Sequence, residues 1–248
     1  MPEPARVHVA PRFTPDDLVA LADTHGRRLI DLRVGPSDLD CPVGPYSRDP
    51  ALRVVHSVGT DCAIGKMSTA LELTEGALAR GHRGVFVPTG QTGIAIAGWG
   101  IAVDHVISDY VNGAAESLID QGAERGDLLF LEGQGSLLNP ASTATLPLIR
   151  GTQPTHLIVV AKAGVKTLRS FPHIEIPPLS KVVALYEQVA AAAGAFAPVP
   201  VVGIALNTWD QTDAEARASV EAAARETGLP CTDAVRYGPG EILDRILR

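Results

Sequence analysis

One short stretch, residues 53–69, constrains the fold more than any other part of the sequence. The β-branched run Val54–Val58 leads into a turn bounded by Gly59 and by Gly65-Lys66, and Met67–Leu78 has a helical pattern. This order of strand, glycine-containing loop and helix is typical of a phosphate-binding loop, or P-loop. The backbone N–H groups of such a loop converge on phosphate oxygens, beside a helix N-terminus and a lysine. The sequence therefore predicts a site for a di- or triphosphate.

The candidate cofactor-binding residues are those of this loop and of the helix start. Five residues, not the usual four, separate the two glycines, and Met67 follows Lys66 where serine or threonine is common. Ser68 or Thr69 would therefore supply any hydroxyl to a magnesium ion. The alternative is a glycine-rich turn that binds nothing. The predicted set is Gly59, Thr60, Asp61, Cys62, Ala63, Ile64, Gly65, Lys66, Met67 and Ser68.

The composition favours one main globular domain. The chain has 248 residues, 46% of them hydrophobic, and a net charge of −7, which is enough material for one large core. The dispersed arginines form no basic stripe, so we expect no nucleic-acid partner. We find no export signal, no apolar run near the ~18 residues of a membrane helix, and no zinc or disulfide spacing among the three cysteines. A cytoplasmic protein without a membrane partner is the expectation.

Residues 1–50 are predicted to form a short α/β appendage to a P-loop domain at 51–248. Thr14, followed by a proline and two acids, has the pattern of a helix N-cap. Arg28–Leu32 resembles a short strand, and Gly35–Pro50 is rich in turn residues. This segment is too small to form a core of its own.

After residue 50, strand and helix patterns alternate. Such alternation predicts an α/β fold of the P-loop NTPase-like type, with a mostly parallel sheet and helices on both faces. Ligands then bind beyond the carboxyl ends of the strands. The predicted strands are Val54–Val58, Gly84–Pro88, His105–Ser108, Leu128–Leu131, Leu157–Ala161 and Val199–Leu206, and the predicted helices are Lys66–Arg80, Val111–Gly122, Lys181–Ala192 and Thr212–Thr227.

Two carboxylates at predicted strand ends are, with Lys66, the candidate catalytic residues. Glu132 follows the apolar strand Leu128–Leu131 and precedes a glycine-rich turn, as in a Walker-B sequence whose acid reaches magnesium or its water. If the reaction is ATP- and Mg²⁺-dependent, Ser68 and Glu132 are the metal residues. Asp109 follows the predicted strand His105–Ser108 and is a candidate general base. A surface carboxylate or a helix cap is the alternative for each acid.

Polar residues in other loops are candidates for substrate binding. Thr89, Gln91 and Thr92 lie in a Gly-Thr-Gln loop that could bind a small polar molecule or be only a mobile turn. Arg169 belongs to a group of basic residues that could neutralise a substrate carboxylate, with solvated surface charge as the alternative. The other members are Arg150, Lys162 and Lys166. The proline-containing segment 171–178 is predicted to be an extended loop and a possible lid.

The sequence Asn207-Thr208-Trp209-Asp210 closes the last predicted strand. An asparagine at this place is suited to contact a purine base. Asp210 could accept hydrogen bonds from guanine, or could simply precede the helix cap.

Six motifs, taken in order, resemble the bacterial D-glutamate N-acetyltransferase-like family, and the loop is also similar to that of dethiobiotin synthetase. The resemblance covers roughly residues 28–248 and implies a P-loop fold and transfer of an acetyl group from acetyl-CoA to an amino acid's nitrogen. Family members usually carry a longer N-terminal domain, and Asn139 stands where many have histidine. The motifs are Gly59–Thr69, Thr89–Ile94, Ser108–Val111, Glu132–Ser136, Pro177–Ser180 and Gly203–Thr208.

Three functions remain open from the sequence. The first is an N-acyltransferase whose P-loop holds the diphosphate of acetyl-CoA while Asn207 holds the adenine, with a small amino acid as the acceptor. The second is a kinase or ligase that uses ATP or GTP with Mg²⁺, and the third is a nucleotide-switched binding module. Because the N-terminal segment is short, we expect a homo-oligomer in which a neighbouring subunit completes the pocket.

Overall fold

The computed structural model describes residues 15–41, 44 and 48–248. The strands are β1 Arg53–Gly59, β2 Gly84–Val87, β3 Leu128–Leu131, β4 His156–Lys162, β5 Thr167–Leu168, β6 Phe171–Glu175, β7 Val201–Asn207 and β8 Cys231–Thr232. The helices are α1 Pro15–Thr24, α2 Lys66–Ala79, α3 Gln91–Ala97, α4 Val111–Ala123, α5 Thr145–Thr152, α6 Leu179–Ala191, α7 Asp213–Thr227 and α8 Gly240–Ile246.

Six strands form one parallel sheet in the order β2-β3-β1-β4-β7-β8. The predicted α/β class with a parallel sheet is therefore confirmed. β1 lies between β3 and β4, so the loop after β1 and the turn after β3 emerge side by side at the same edge of the sheet. This adjacency places Glu132 next to the P-loop.

Alternating side chains of the strands pack against helices on opposite faces. On one face, Val55 and Phe130 belong to the same buried cluster as Leu73 of α2 and Ile242 of α8. The alternate residues of each strand point to the other face of the sheet. There they pack against α4 and α5 at one half of the sheet and against α6 and α7 at the other half. Burial of both faces explains why strands such as Leu128–Leu131 are apolar throughout.

Two predicted strands are wrong. Residues 28–32 have no regular structure, and the segment predicted as His105–Ser108 is replaced by 3₁₀ turns at Val103–His105 and Ser108–Tyr110. Neither segment pairs with the sheet, and Ile107 is 70% exposed. A β-branched pair alone cannot make a strand where no neighbouring edge accepts its hydrogen bonds.

The structure also contains elements that the sequence patterns did not indicate, namely α3, α5, α8, β8 and the hairpin β5-β6. The hairpin is antiparallel and includes Phe171–Glu175, part of the predicted extended loop. The predicted N-cap Thr14 and residues 42–43 and 45–47 lie outside the described residues. Nearby, Leu39 packs against the cluster that contains α4. Of the helices that the structure describes, none has the length and apolarity that crossing a bilayer requires.

Candidate functional site

The P-loop, residues 59–65, connects the central strand β1 to α2. Gly59 cannot carry a side chain, because a Cβ would lie 2.7 Å from the Val160 carbonyl oxygen and 2.8 Å from Ile64 Cδ1. Ala63 and Gly65 have positive φ angles of 54° and 109°. Alternation of backbone hand in such a loop turns successive N–H groups toward one point, which forms an anion-binding concavity. The predicted strand, loop and helix are therefore all present.

Lys66 begins α2 and is buried beneath the loop. Its Nζ donates a 2.6 Å hydrogen bond to the backbone oxygen of Asp61. Burial lowers the pKa of Lys66 to about 8, although the nearby Cys62, Asp61 and Glu132 act in the opposite direction. A bound anion would favour the charged ammonium, so ligand binding and protonation of this lysine are coupled.

Asp61 braces the loop. Its carboxylate accepts hydrogen bonds from the backbone N–H groups of Cys62 and Arg169 and from Nδ2 of Asn139, each at 2.8 Å. Burial alone would raise the pKa of Asp61, but these hydrogen bonds outweigh it and lower the pKa. The hydrogen bond from Arg169 ties the β5-β6 hairpin to the P-loop.

Tyr186 of α6 fixes the other end of the loop, a role that the sequence did not indicate. Its buried hydroxyl donates to the Gly59 oxygen at 2.7 Å and accepts from the Leu137 N–H at 3.1 Å. Nothing in the local sequence around Tyr186 distinguishes it from an ordinary core aromatic residue. The packing of α6 against β4 and β7 brings Tyr186 to the P-loop.

Glu132 lies at the end of β3 and faces the P-loop. Its Oε2 accepts from the backbone N–H groups of Thr89 at 2.9 Å and Gly90 at 3.1 Å. Burial raises the pKa of Glu132, and the charge of Asp104 adds to this, against the effect of the two hydrogen bonds and of Lys66. The orientation of the carboxylate is thus fixed, and its affinity for a proton is above that of a free glutamate.

These groups border a cavity of about 610 Å³, here called the loop cavity. It is lined by residues 62–68, 90–92, 132–135 and Asn207. The structure therefore brings together most of the predicted cofactor residues with Glu132, Gln91 and Thr92. Gly59, Thr60 and Asp61 are not among the lining residues.

Other candidates do not face the loop cavity. Asp109 lies on the exposed 3₁₀ turn Ser108–Tyr110 and is not a lining residue. Thr89 is fully buried and donates its hydroxyl to the Glu132 backbone oxygen at 2.8 Å, so it positions Glu132. Arg150 donates to the Ala190 oxygen and stacks on Phe196, at the opposite end of the sheet.

Asp104 is a residue at this site that the sequence did not indicate. Gln91 donates through Nε2 to both carboxylate oxygens of Asp104 at 3.2 Å. This contact orients Gln91, which lines the loop cavity. Since Asp104 follows no strand, strand-end reasoning could not identify it.

A second cavity of about 470 Å³, here called the side cavity, adjoins the loop cavity. Its walls are residues 64–65 and 68–69 of the loop and α2, residues 205–207 and Trp209, and residues 233–236. Asn207 separates the two cavities: Nδ2 donates to the Ile64 oxygen and Oδ1 accepts from the Trp209 N–H, each at 3.0 Å. Asn207 thus joins the end of β7 to the P-loop.

His56 lies in β1 and is 1% exposed. Burial lowers its pKa to about 3, with a smaller contribution from Lys66. The imidazole is therefore neutral in the folded protein at neutral pH.

The sequence predicts a magnesium site only for an ATP-dependent reaction, at Ser68 and Glu132. Ser68 and Glu132 both line the loop cavity. In the part of the chain that the structure describes, no three or more histidine, cysteine or acidic side chains are grouped to hold a metal.

The fold and the loop cavity define a P-loop α/β protein. The chain belongs to the family described as "Domain of unknown function (DUF1611_C) P-loop domain", which matches residues 44–243. This result confirms the resemblance found in the sequence.

Two sequence relatives are named D-glutamate N-acetyltransferase. The protein from Tritonibacter scottomollicae is 36% identical over 232 residues, which cover 93% of this chain and 68% of the relative. The protein from a Pseudoalteromonas species is 35% identical over 229 residues, which cover 92% of this chain and 67% of the relative. A crystal structure of a DUF1611 family protein from Anabaena variabilis is 47% identical, with a TM-score of 0.89 over 94% of this chain and 67% of that one.

Proposed function

We propose that this protein is an N-acetyltransferase that moves the acetyl group of acetyl-CoA to the amine of a small amino acid such as D-glutamate. The names of the two relatives, at about one third identity over most of the chain, support an acetyltransferase role. The observation that carries the proposal is the loop cavity, in which a diphosphate-binding loop and a buried carboxylate face the same space.

The loop binds the donor in this proposal. The N–H groups of residues 62–66 and the ammonium of Lys66 hold the diphosphate of acetyl-CoA. Among the described residues, the hydrogen bond of the Lys66 ammonium goes to a neutral backbone carbonyl and to no carboxylate, so a diphosphate can replace that contact without breaking an ion pair.

Glu132 is the proton acceptor. An amino acid must lose a proton before its nitrogen can attack the thioester carbonyl, and a carboxylate with a raised pKa is suited to take it. The C–N bond then forms, the C–S bond breaks, and the CoA sulfur leaves as a thiolate that takes up a proton. Since both backbone hydrogen bonds go to Oε2, Oε1 is the oxygen available to the amine. Asp109 is too peripheral to share this role.

The direct test is release of CoA thiol from acetyl-CoA in the presence of D-glutamate and other amino acids. Glu132→Gln should lower kcat by about 100-fold or more, with the dissociation constant of acetyl-CoA nearly unchanged. Glu75→Gln, on the exposed surface of α2, is the matched control and should leave kcat unchanged. Thiol release that is equally fast in Glu132→Gln would exclude Glu132 as the base.

A second candidate function is ATP-dependent activation of a carboxylate or carbamate. It is favoured by the presence of both Ser68 and Glu132 at the loop cavity, since a hydroxyl and an acid in this arrangement hold magnesium in many P-loop enzymes. This alternative requires Mg²⁺ and forms ADP. ADP formation that depends on an amino acid, without thiol release from acetyl-CoA, would replace the acetyltransferase proposal.

A further inference from the structure

We propose that the side-chain amide of Gln134 is a further catalytic group of the loop cavity, whose N–H donates to the oxygen of the thioester carbonyl and stabilises the oxyanion that forms there. The inference deepens the proposed function and rests on it, because it concerns the step in which the amine adds to the acetyl group.

Among the described residues, three side-chain amides line the loop cavity, and two of them already donate within the protein. Gln91 donates through Nε2 to Asp104, and Asn207 donates through Nδ2 to the Ile64 oxygen. The third amide, that of Gln134, has no hydrogen-bond partner in the part of the chain that the structure describes, where this residue is bonded through its backbone oxygen. Its N–H groups are therefore available to a ligand.

The backbone around Gln134 forms a tightly packed turn. A Cβ at Gly133 would overlap the Ser57 oxygen, and Gly135 has a left-handed φ of 65°. The Gln134 backbone oxygen accepts from Oγ1 of Thr145 at 2.7 Å. A donor carried on a turn that is fixed in this way needs little rearrangement during the reaction, and such donors stabilise a developing charge most effectively.

The amide of Gln134 lies beside the carboxylate of Glu132, and both groups lie against Gly90. A Cβ at Gly90 would overlap Nε2 of Gln134 and would lie 3.5 Å from Oε1 of Glu132. Oε1 is the oxygen that the backbone N–H groups of residues 89 and 90 leave free. The proton acceptor and the amide donor therefore meet at one place in the loop cavity.

This juxtaposition suits the addition step. The attacking nitrogen and the carbonyl oxygen are bonded to the same carbon of the tetrahedral intermediate, so the groups that contact them must be neighbours. Oε1 of Glu132 takes a proton from the amine, the C–N bond forms, and an electron pair of the C=O bond moves to the oxygen, to which Nε2 of Gln134 donates. When the C=O bond forms again, the C–S bond breaks and the charge leaves with the CoA sulfur.

The test is the rate of CoA thiol release from acetyl-CoA at a saturating amino acid concentration. Gln134→Leu removes the donor and should lower kcat about 100-fold. The dissociation constant of acetyl-CoA and the KM of the amino acid should each change less than about threefold. Gln188→Leu, on the exposed surface of α6, is the matched control and should leave all three values unchanged.

A second variant separates catalysis from packing. Gln134→Glu keeps the shape of the side chain but places a carboxylate beside the oxyanion, so it should be slower than Gln134→Leu. If Gln134 only filled space, Gln134→Glu would be the more active of the two. If Gln134 bound the amino acid, Gln134→Leu would raise KM about tenfold or more and leave kcat unchanged. Either of these results would overturn the assignment.

Gly90 provides an independent test that leaves Gln134 in the chain. Gly90→Ala keeps the N–H that bonds to Glu132 and an extended φ of −134° that alanine adopts, but its Cβ takes the place of the Gln134 amide. kcat should fall at least about tenfold, and the same substitution should have little further effect in Gln134→Leu. Full activity of Gly90→Ala, with thermal unfolding like that of the wild type, would contradict the proposed contact.

The measurements also separate this inference from the proposed function. If the wild type releases thiol and Gln134→Leu keeps its kcat, the role of Gln134 is wrong and the acetyltransferase proposal stands. If the wild type releases no thiol with any amino acid, the proposed function is wrong and the role of Gln134 is overturned with it.

Discussion

The loop cavity and the side cavity meet at Asn207 but are built from different kinds of residue. The loop cavity is lined largely by one continuous segment, residues 62–68, which includes Lys66. The side cavity is lined by residues from three separate parts of the chain, and the carboxylate of Asp233, one of these residues, is hydrogen-bonded within the protein. An arrangement of the first kind is suited to a phosphate, through fixed dipoles and charge, whereas one of the second kind is suited to a ring, through its shape and the hydrogen bonds that it leaves available.

The largest expected effect follows from removing the charge of the loop cavity. Lys66→Ala should weaken the binding of ADP and of GDP by the same factor, on the order of 100-fold, because in the proposed function the lysine contacts phosphate and not the base. Calorimetry with both nucleotides measures this. Lys181→Ala, on the exposed surface of α6, is the control and should bind normally. A loss confined to one nucleotide would show that the two cavities do not act separately.

Removal of the Asp61 carboxylate, which holds the P-loop in place, is expected to have the next largest effect. Asp61→Ala leaves the Cys62 and Arg169 N–H groups and the Asn139 amide without their acceptor. The free energy of unfolding should fall by about 3 kcal/mol, and diphosphate affinity should fall with it. Urea denaturation of the wild type, Asp61→Asn and Asp61→Ala gives the values. An Asp61→Ala protein as stable as Asp61→Asn would argue against the brace.

The pH dependence of binding distinguishes the two cavities. In the free protein Lys66 has a pKa of about 8, so above pH 8 an anion must bind together with a proton. The affinity for ADP should then fall by up to about tenfold per pH unit, whereas the affinity for adenosine, which has no phosphate, should stay constant.

The pKa of Lys66 also affects stability, because it falls from 10.5 in the unfolded chain to about 8 in the folded protein. Between these two values only the unfolded chain retains the proton. The free energy of unfolding of the unliganded protein should therefore rise as the pH increases from about 8 to 10.5.

The control for this pH effect is Lys66→Arg. An arginine stays protonated over the whole range, so any binding that the variant retains should be independent of pH. A wild-type profile that is flat between pH 7 and 9.5 would contradict the coupling between Lys66 and the ligand.

The smallest expected effect concerns the wall of the side cavity. Thr208→Val keeps the shape of a fully buried side chain but removes its hydroxyl from Asp233, which retains three backbone donors. Unfolding free energy should fall by about 1–2 kcal/mol, and ADP affinity should change less than threefold. Thermal unfolding with and without ADP measures both. A large loss of GDP binding alone would indicate that Asp233 contacts the base.

Most of the strands and helices, and the loop cavity, could be predicted from the sequence, because their signals are local. The apolar run Leu128–Leu131 became β3 without any change of boundary, and Glu132 lines the loop cavity, as its place at a strand end suggested. Asp109 was misplaced because the pattern of residues 105–108 carries no information on whether a sheet edge is available to them. Tyr186 could not be predicted because it contacts Gly59, which is far away in the chain. Asp104 could not be predicted because it does not follow a strand.

By itself the sequence determined the strand, loop and helix of the P-loop, since backbone conformation there depends on glycines and on a contiguous hydrophobic pattern. Only the tertiary structure decided which polar groups remain free to meet a ligand. Asp61, Asp210 and Asp233 carry the same carboxylate, yet each is engaged by a different partner from a distant part of the chain. A carboxylate can accept only a limited number of hydrogen bonds, so one that is already bonded within the protein is not available to a ligand. The packing of distant segments decides which carboxylates are bonded in this way.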